Sequence, residues 1–427
     1  MIVSRAGLAA MDIADGIMVS RYQAHEFAWL ALSEATLGRM LNVCIAFLIG
    51  GLALVPRHFA RGDQAGARQI WLRTFPFALG LGLLGILMGW YGTPILTLLG
   101  QKQDLSAGAG PVMLISSLGN IPALLAIGAA VYLEGINRPQ FVAVSVTLAN
   151  FLNIALNWVF ISGHLGFAAL GARGSAWSTT FVRLALAVAL VSYAWRWYRE
   201  KSPMESEAEV AERAASRRAQ WRLGAGSAIT VLAMVTLTSP LTLIAGVLGV
   251  LPLASFSAAL DLAGLAGLVA LGMSDAAGIY VAAEAARDGL RAAAKVAWAS
   301  VGVALVPMAI AAASLAIWAS FFAGLYTSDI KMRTPLAAAL PFIGVIVLID
   351  CVAFVTVASL RALRETAWAT GIEITSLFLL LPLAFTLALK EGFGIRGLFI
   401  AMLVTAMVRA IAIAYRFWWR TRVDDPA

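Results

Sequence analysis

Ionisable side chains stand inside long apolar stretches of this chain: Asp12 and Asp15, Glu34 and Arg39, Arg183, Asp261 and Asp275, Asp350, Glu373 and Arg409. If those stretches cross a bilayer, each such group costs about 2.5–3.5 kcal/mol on insertion scales and marks a functional position by default. The bland alternative is a structural ion pair or a place near the headgroups. That alternative is the expectation for Glu34, Arg39, Arg183, Glu373 and Arg409. Asn150, Asn153 and Asn157 add three amides to a single apolar run. Asn153 and Asn157 are four residues apart, so both leave one face of a helix. That face must turn inward. It either hydrogen-bonds neighbouring helices or joins a carboxylate to hold a proton or cation. A carboxyl withdrawn from water is a natural proton carrier, and carboxylate, amide and hydroxyl oxygens suit a hard cation.

The elements that must carry these groups follow from composition. The 427 residues are 61% hydrophobic and 13% charged, with mean hydropathy +0.86. Soluble domains are about 45–50% apolar and about 25% charged. A soluble fold has nowhere to put so much apolar surface, whereas lipid accepts it. At roughly 20 residues per span, the chain fits about twelve spans. The apolar runs are continuous, unlike the roughly 10-residue alternating segments of a membrane barrel. The fold class is therefore an all-α polytopic membrane protein. Expected spans lie at 2–20, 28–55, 73–99, 109–133, 140–162, 168–194, 224–249, 254–282, 295–325, 335–360, 367–389 and 395–419. The first is short and charged, the pattern of a truncated helix or of one whose start lies upstream of Met1.

Alternate loops differ sharply in charge. One set, from Arg57 through Arg138 and Lys295 to Arg422, carries twenty Lys and Arg; the other carries seven, from Arg21 to Arg396. Positive residues concentrate on the cytoplasmic side, so both termini are expected there, in a bacterial inner membrane. The net charge of +8 is thus topology and calls for no nucleic-acid partner. The polar stretch 196–222, with Glu205, Glu207, Glu209 and Glu212 among basic residues, reads as a solvated linker. It divides the chain into an N-terminal lobe at 1–195 and a C-terminal lobe at 223–427. The two lobes look related. Ala60-Arg61-Gly62-Asp63 follows the second span and Ala286-Arg287-Asp288-Gly289 the eighth; Arg173-Gly174 opens the sixth span and Arg396-Gly397 the twelfth. The near-constant offset implies parallel six-helix repeats, a pattern of transporters. Pro111, Gly119, Pro122, Pro240 and Gly246 are positions where helices could kink.

Catalysis is not indicated. His25, His58 and His164 are scattered near loops, and no nucleophile–base or metal spacing appears. Cys44 and Cys351 each lie in an apolar run, without disulfide or zinc spacing.

The stretch Glu134-Gly135-Ile136-Asn137-Arg138-Pro139, followed by Asn153-Ile154-Ala155-Leu156-Asn157-Trp158 and Leu170-Gly171-Ala172-Arg173-Gly174-Ser175-Ala176, resembles helices 4 to 6 of the multidrug and toxic compound extrusion family. Asp15-Gly16-Ile17-Met18-Val19 resembles its Asp-x-x-Met-x-Gly motif, with Ser20 in place of the Gly. Asp350 with Ser359-Leu360-Arg361-Ala362 resembles its helix-10 segment. The resemblance implies twelve helices in two six-helix lobes, and export of cationic and amphipathic organic compounds by antiport with H+ or Na+, without a cofactor and as a monomer. It assigns cation or proton coupling to Asp15, Asn153, Asn157 and Thr179, with Asp350 as the C-lobe candidate. Helix 7, from Gly224 to Gly249, lacks the acidic partner that some members carry, so Asp15 is the expected coupling carboxylate. A lipid-linked precursor flippase of the same superfamily is the alternative; it would use Arg39, Arg183 and Arg409 to hold pyrophosphate.

Overall fold

The computed structural model describes residues 2–196 and 207–423. Of the expected linker, residues 197–206, including Lys201 and Glu205, lie outside the described residues. Helices account for nearly all of the rest. They are α1 (Ile2–Tyr22), α2 (Ala24–Ala60), α3 (Gln64–Trp90), α4 (Gln103–Leu118), α5 (Asn120–Gly135), α6 (Pro139–Ser162) and α7 (Ala172–Arg196). There follow α8 (Glu207–Leu248), α9 (Val250–Arg287), α10 (Gly289–Ile317), α11 (Ile330–Ala362), α12 (Thr366–Lys390) and α13 (Ile395–Val423). Nine helices among the described residues are long and apolar enough to cross a membrane. The pair α4 and α5 makes a tenth span, bent by 43° where Gly119 separates them. With α1 and α8 in the first and seventh places, a helix stands at every expected span.

The helices are inside-out relative to those of a soluble protein. On α6 the large side chains Val144, Leu148, Phe151 and Trp158 are exposed, while Asn153 and Asn157 are fully buried. Such a surface belongs in lipid, where apolar groups need no cover and polar groups need partners.

The chain forms two compact units, Met1–Ser239 and Pro240–Ala427. Within the first, α2 packs on α4 and α5, α5 packs on α7, and α6 packs on α7 and α1. Within the second, α9 packs on α11, α11 on α13, and α12 on α13. Second span against fourth, fourth against sixth and fifth against sixth is thus the pairing inside both units. The repeated Arg-Gly steps have one structural reason. At Gly174 an added Cβ would meet the Phe160 carbonyl at 2.5 Å, and at Gly397 it would meet the Leu387 carbonyl carbon at 2.7 Å. In each unit the start of the sixth span lies on the backbone that ends the fifth, and only glycine permits that approach. The turn before α6 is equally specific. Asn137 takes φ 61° and lets the amide of Arg138 donate to Leu133 O at 2.8 Å. Asn is among the few non-glycine residues that tolerate this left-handed conformation.

Gly174→Val and Gly397→Val are each expected to destabilise the protein by about 1–3 kcal/mol through overpacking. Gly302→Ala, where a Cβ meets nothing within 4 Å, should be neutral or slightly stabilising because Ala is the better helix former. Thermal unfolding in detergent checks all three. Equal midpoints across the set would show that the glycine contacts carry no stability.

Candidate functional site

Asp15 lies on α1, seven residues before its end at Tyr22, and only 6% of its surface is exposed. Two neighbouring helices close on it. Asn157 Nδ2 of α6 donates to Asp15 Oδ1 at 2.5 Å, and Thr179 Oγ1 of α7 donates to Asp15 Oδ2 at 2.7 Å. Asn157 Nδ2 also donates to Asn153 Oδ1 at 3.1 Å, one turn away on α6. The four residues Asp15, Asn153, Asn157 and Thr179 therefore form one hydrogen-bonded cluster inside the first unit.

Local sequence explains how each helix delivers its group. Ser162-Gly163 ends α6, with Gly163 at φ 74°, which fixes where Asn157 sits in the last turns. At the start of α7, Glu26 Oε2 accepts from the amide of Ala172 at 2.9 Å. A carboxylate at a helix N-terminus suits both its unpaired N–H groups and its dipole. With the Gly174 contact, this sets the register that brings Thr179 to Asp15.

The cluster is not fully satisfied. Asn157 Oδ1 and Asn153 Nδ2 are buried without a hydrogen-bond partner, as is Ser175 Oγ, one turn before Thr179. Buried polar atoms are nearly always paired, so each exception asks for an explanation. Asn157 Oδ1 is thus an unused acceptor beside the carboxylate, and Asn153 Nδ2 an unused donor. Ser175 carried no signal in the sequence beyond its place in the Arg173-Gly174-Ser175 motif.

Asn150, by contrast, does not join. Its Nδ2 donates to Val146 O of its own helix at 2.8 Å. Asn150 is satisfied locally, a common use of short polar side chains in helices.

The second unit treats its carboxylates differently. Asp350 Oδ1 accepts from Arg409 Nη2 at 2.5 Å, with side-chain exposures of 26% and 17%. Asp261 accepts from the Tyr326 hydroxyl. Glu373 pairs with Arg361 at 2.8 Å. Asp350 is thus matched by a fixed cation of the chain itself. Glu34 is not in a structural ion pair: its side chain is exposed, and no cation among the described residues pairs with it.

Arg409→Gln should leave Asp350 largely buried and uncompensated, a loss of about 3–5 kcal/mol. Asp350→Leu combined with Arg409→Leu should recover most of it, since apolar residues can replace a buried pair. Unfolding midpoints of the purified variants check this. An unchanged midpoint for Arg409→Gln would show that the pair is not structural.

Comparison with known proteins places this geometry. The MatE family model matches residues 1–159 and 227–386. A Caulobacter vibrioides protein named "Probable multidrug resistance protein NorM" is 27% identical, over 99% of this chain and 90% of that one. A protein of the same name from Agrobacterium fabrum is 26% identical, over 96% of this chain and 90% of that one. Among solved structures, an inward-facing multidrug resistance MATE family transporter of the MOP superfamily superposes with TM-score 0.85 at 18% identity, over 97% of this chain and 94% of the other. A MOP superfamily transporter from Pyrococcus furiosus gives TM-score 0.72 at 18% identity, over 99% and 93%. At such identities the structures speak for the fold alone. The family match spans both units, and a multi-pass helical chain with polar groups buried in its spans is what a transporter requires; this chain belongs to the MATE family of membrane transporters and is not an enzyme.

Proposed function

We propose that this protein exports cationic and amphipathic small organic molecules, as a multidrug efflux transporter, in exchange for a proton or sodium ion bound at Asp15. The observation that carries the reading is the Asp15 cluster: a buried carboxylate held only by neutral donors, with spare polar atoms beside it. The relatives named as multidrug resistance proteins support export of drugs. In this reading the lobes are 1–195 and 223–427, joined by the linker 196–222. The protein is a monomer in a bacterial inner membrane with both termini cytoplasmic, as the loop charges favour.

The two unpartnered amide atoms favour the proton. With Asp15 ionised, Asn157 donates its N–H to the carboxylate. With Asp15 protonated, the carboxyl O–H needs an acceptor instead. Turning the Asn157 amide over puts Oδ1 in the place of Nδ2, ready to accept that hydrogen. Turning Asn153 over then lets its free N–H donate to the same Oδ1. A pair of amides four residues apart on one helix can thus serve both charge states of one carboxyl. Sodium would instead use Asp15 and Asn157 Oδ1 as ligands. Either ligand shifts the transport cycle only by its differential affinity for the two lobe arrangements. Asp350 and Arg409 satisfy each other, which makes them weaker candidates for coupling. The same pairing removes one arginine from the flippase alternative.

Efflux of ethidium from cells expressing the chain tests the proposal. Asp15→Asn should reduce efflux by at least roughly tenfold, the effect of losing an interaction worth about 1.4 kcal/mol or more, with membrane expression unchanged. Efflux equal to wild type would remove Asp15 as the coupling residue and direct attention to Asp350.

A further inference from the structure

Glu34 belongs to none of the interactions described so far. It lies ten residues into α2, whose start follows the exposed polar turn Arg21-Tyr22-Gln23. At a rise of about 1.5 Å per residue, Glu34 is about 15 Å along the helix from that turn. The hydrocarbon core is about 30 Å thick, so Glu34 lies within it. The side chain is nonetheless exposed. A carboxylate facing lipid at that depth is excluded by its desolvation energy. Ionisable residues within spans face the bundle interior or a water-filled cavity, and the exposure of Glu34 favours the cavity.

The backbone singles out the same place. From Glu34 to Gly38 the helix widens into a π turn, with the amide of Arg39 donating to Glu34 O. Single π turns inside α-helices occur often at functional sites. Thr36 Oγ1 donates to Leu32 O at 2.9 Å and Ser33 O at 3.1 Å, competing with the helical ladder. A Cβ on Gly38 would lie 2.0 Å from Glu34 Oε2. The glycine thus leaves the carboxylate room to lie along the helix. Arg39, also exposed, forms no ion pair with it. Glu34 belongs to the same unit as Asp15, and its charge acts on Asp15.

We infer that Glu34 is the counter-charge for the cationic part of the transported molecule, a specificity-determining residue displayed by the π turn into the aqueous path. An unpaired anion in a low-dielectric passage attracts a large organic cation far more strongly than the same anion does in water. Its function differs from that of Asp15, whose oxygens are already engaged by donors. The inference rests on the export reading for its biological meaning, but binding can be measured without transport.

The test uses the purified full-length chain in detergent at pH 7. Calorimetry compares tetraphenylphosphonium, a permanent cation, with triphenylphosphine oxide, a neutral molecule of similar shape. In Glu34→Gln the dissociation constant for the cation should rise by about tenfold or more, as loss of one partly screened charge pair implies, with the neutral compound unchanged. Glu34→Asp should retain the preference for the cation. Gly38→Ala, which pushes the carboxylate from its place, should weaken the cation selectively. Unchanged cation binding in Glu34→Gln, parallel loss of both compounds, or no cation binding by wild type would each overturn the inference. Cation binding without efflux in cells would instead sink the export reading and leave Glu34 as a cation site.

Discussion

The hydrogen bonds that close on the Asp15 carboxylate make demands on three helices at once. A carboxylate in an apolar bundle has to find donors within the protein, because lipid offers none. Asn157 and Thr179 supply them from α6 and α7. To do so, α6 must turn its polar stripe inward and give its large apolar side chains to lipid. For its part, α7 must begin at a fixed height, which the Glu26 contact with the Ala172 amide and the bare Gly174 backbone enforce. Features scattered over 160 residues of sequence thus answer to one requirement.

The two units share a pattern of helix pairing but not an electrostatic plan. Around Asp15 the partners are neutral, so the cluster keeps a charge that a proton or cation can cancel. Around Asp350 the partner is Arg409, and the charge is cancelled internally and permanently, since a guanidinium does not release its proton in proteins. Asp261 has a phenol as partner, another neutral donor, but one that belongs to a different pair of helices. The second unit keeps the helix pairing of the first and uses these carboxylates for contacts between its own segments.

Much of this was legible in the sequence. Span number followed from composition, and the Arg-Gly repeats marked the two places where a sixth span lies on the backbone of a fifth. The i,i+4 spacing of Asn153 and Asn157 gave a shared face, and resemblance supplied Asp15 and Thr179 as partners for it. What stayed hidden depends on distances across the fold. No local pattern says that Asn150 bonds its own helix at Val146, or that Arg409 reaches Asp350 across 59 positions. For Glu34 the sequence gives neither a partner nor the direction in which its helix turns it. The π turn at Glu34 to Gly38 contains Thr36, which bonds backward to Leu32 and Ser33, and no pattern in the sequence marks it.

The polar groups of α1 and α2 also constrain how the first unit is assembled. These helices carry Asp12, Asp15, Glu26, Glu34 and Arg39 in their first forty positions, which makes them poor residents of lipid on their own. The partners that satisfy Asp15 lie 142 and 164 positions later, and the amide that receives Glu26 lies 146 later. The hairpin of α1 and α2 therefore cannot settle until α6 and α7 are in place. Contacts between segments so distant in sequence form late, because closing the intervening chain must come first. A change of charge at Asp15 would act on the bonds that join α1 to both α6 and α7, which is the condition for a small chemical event to move a helix.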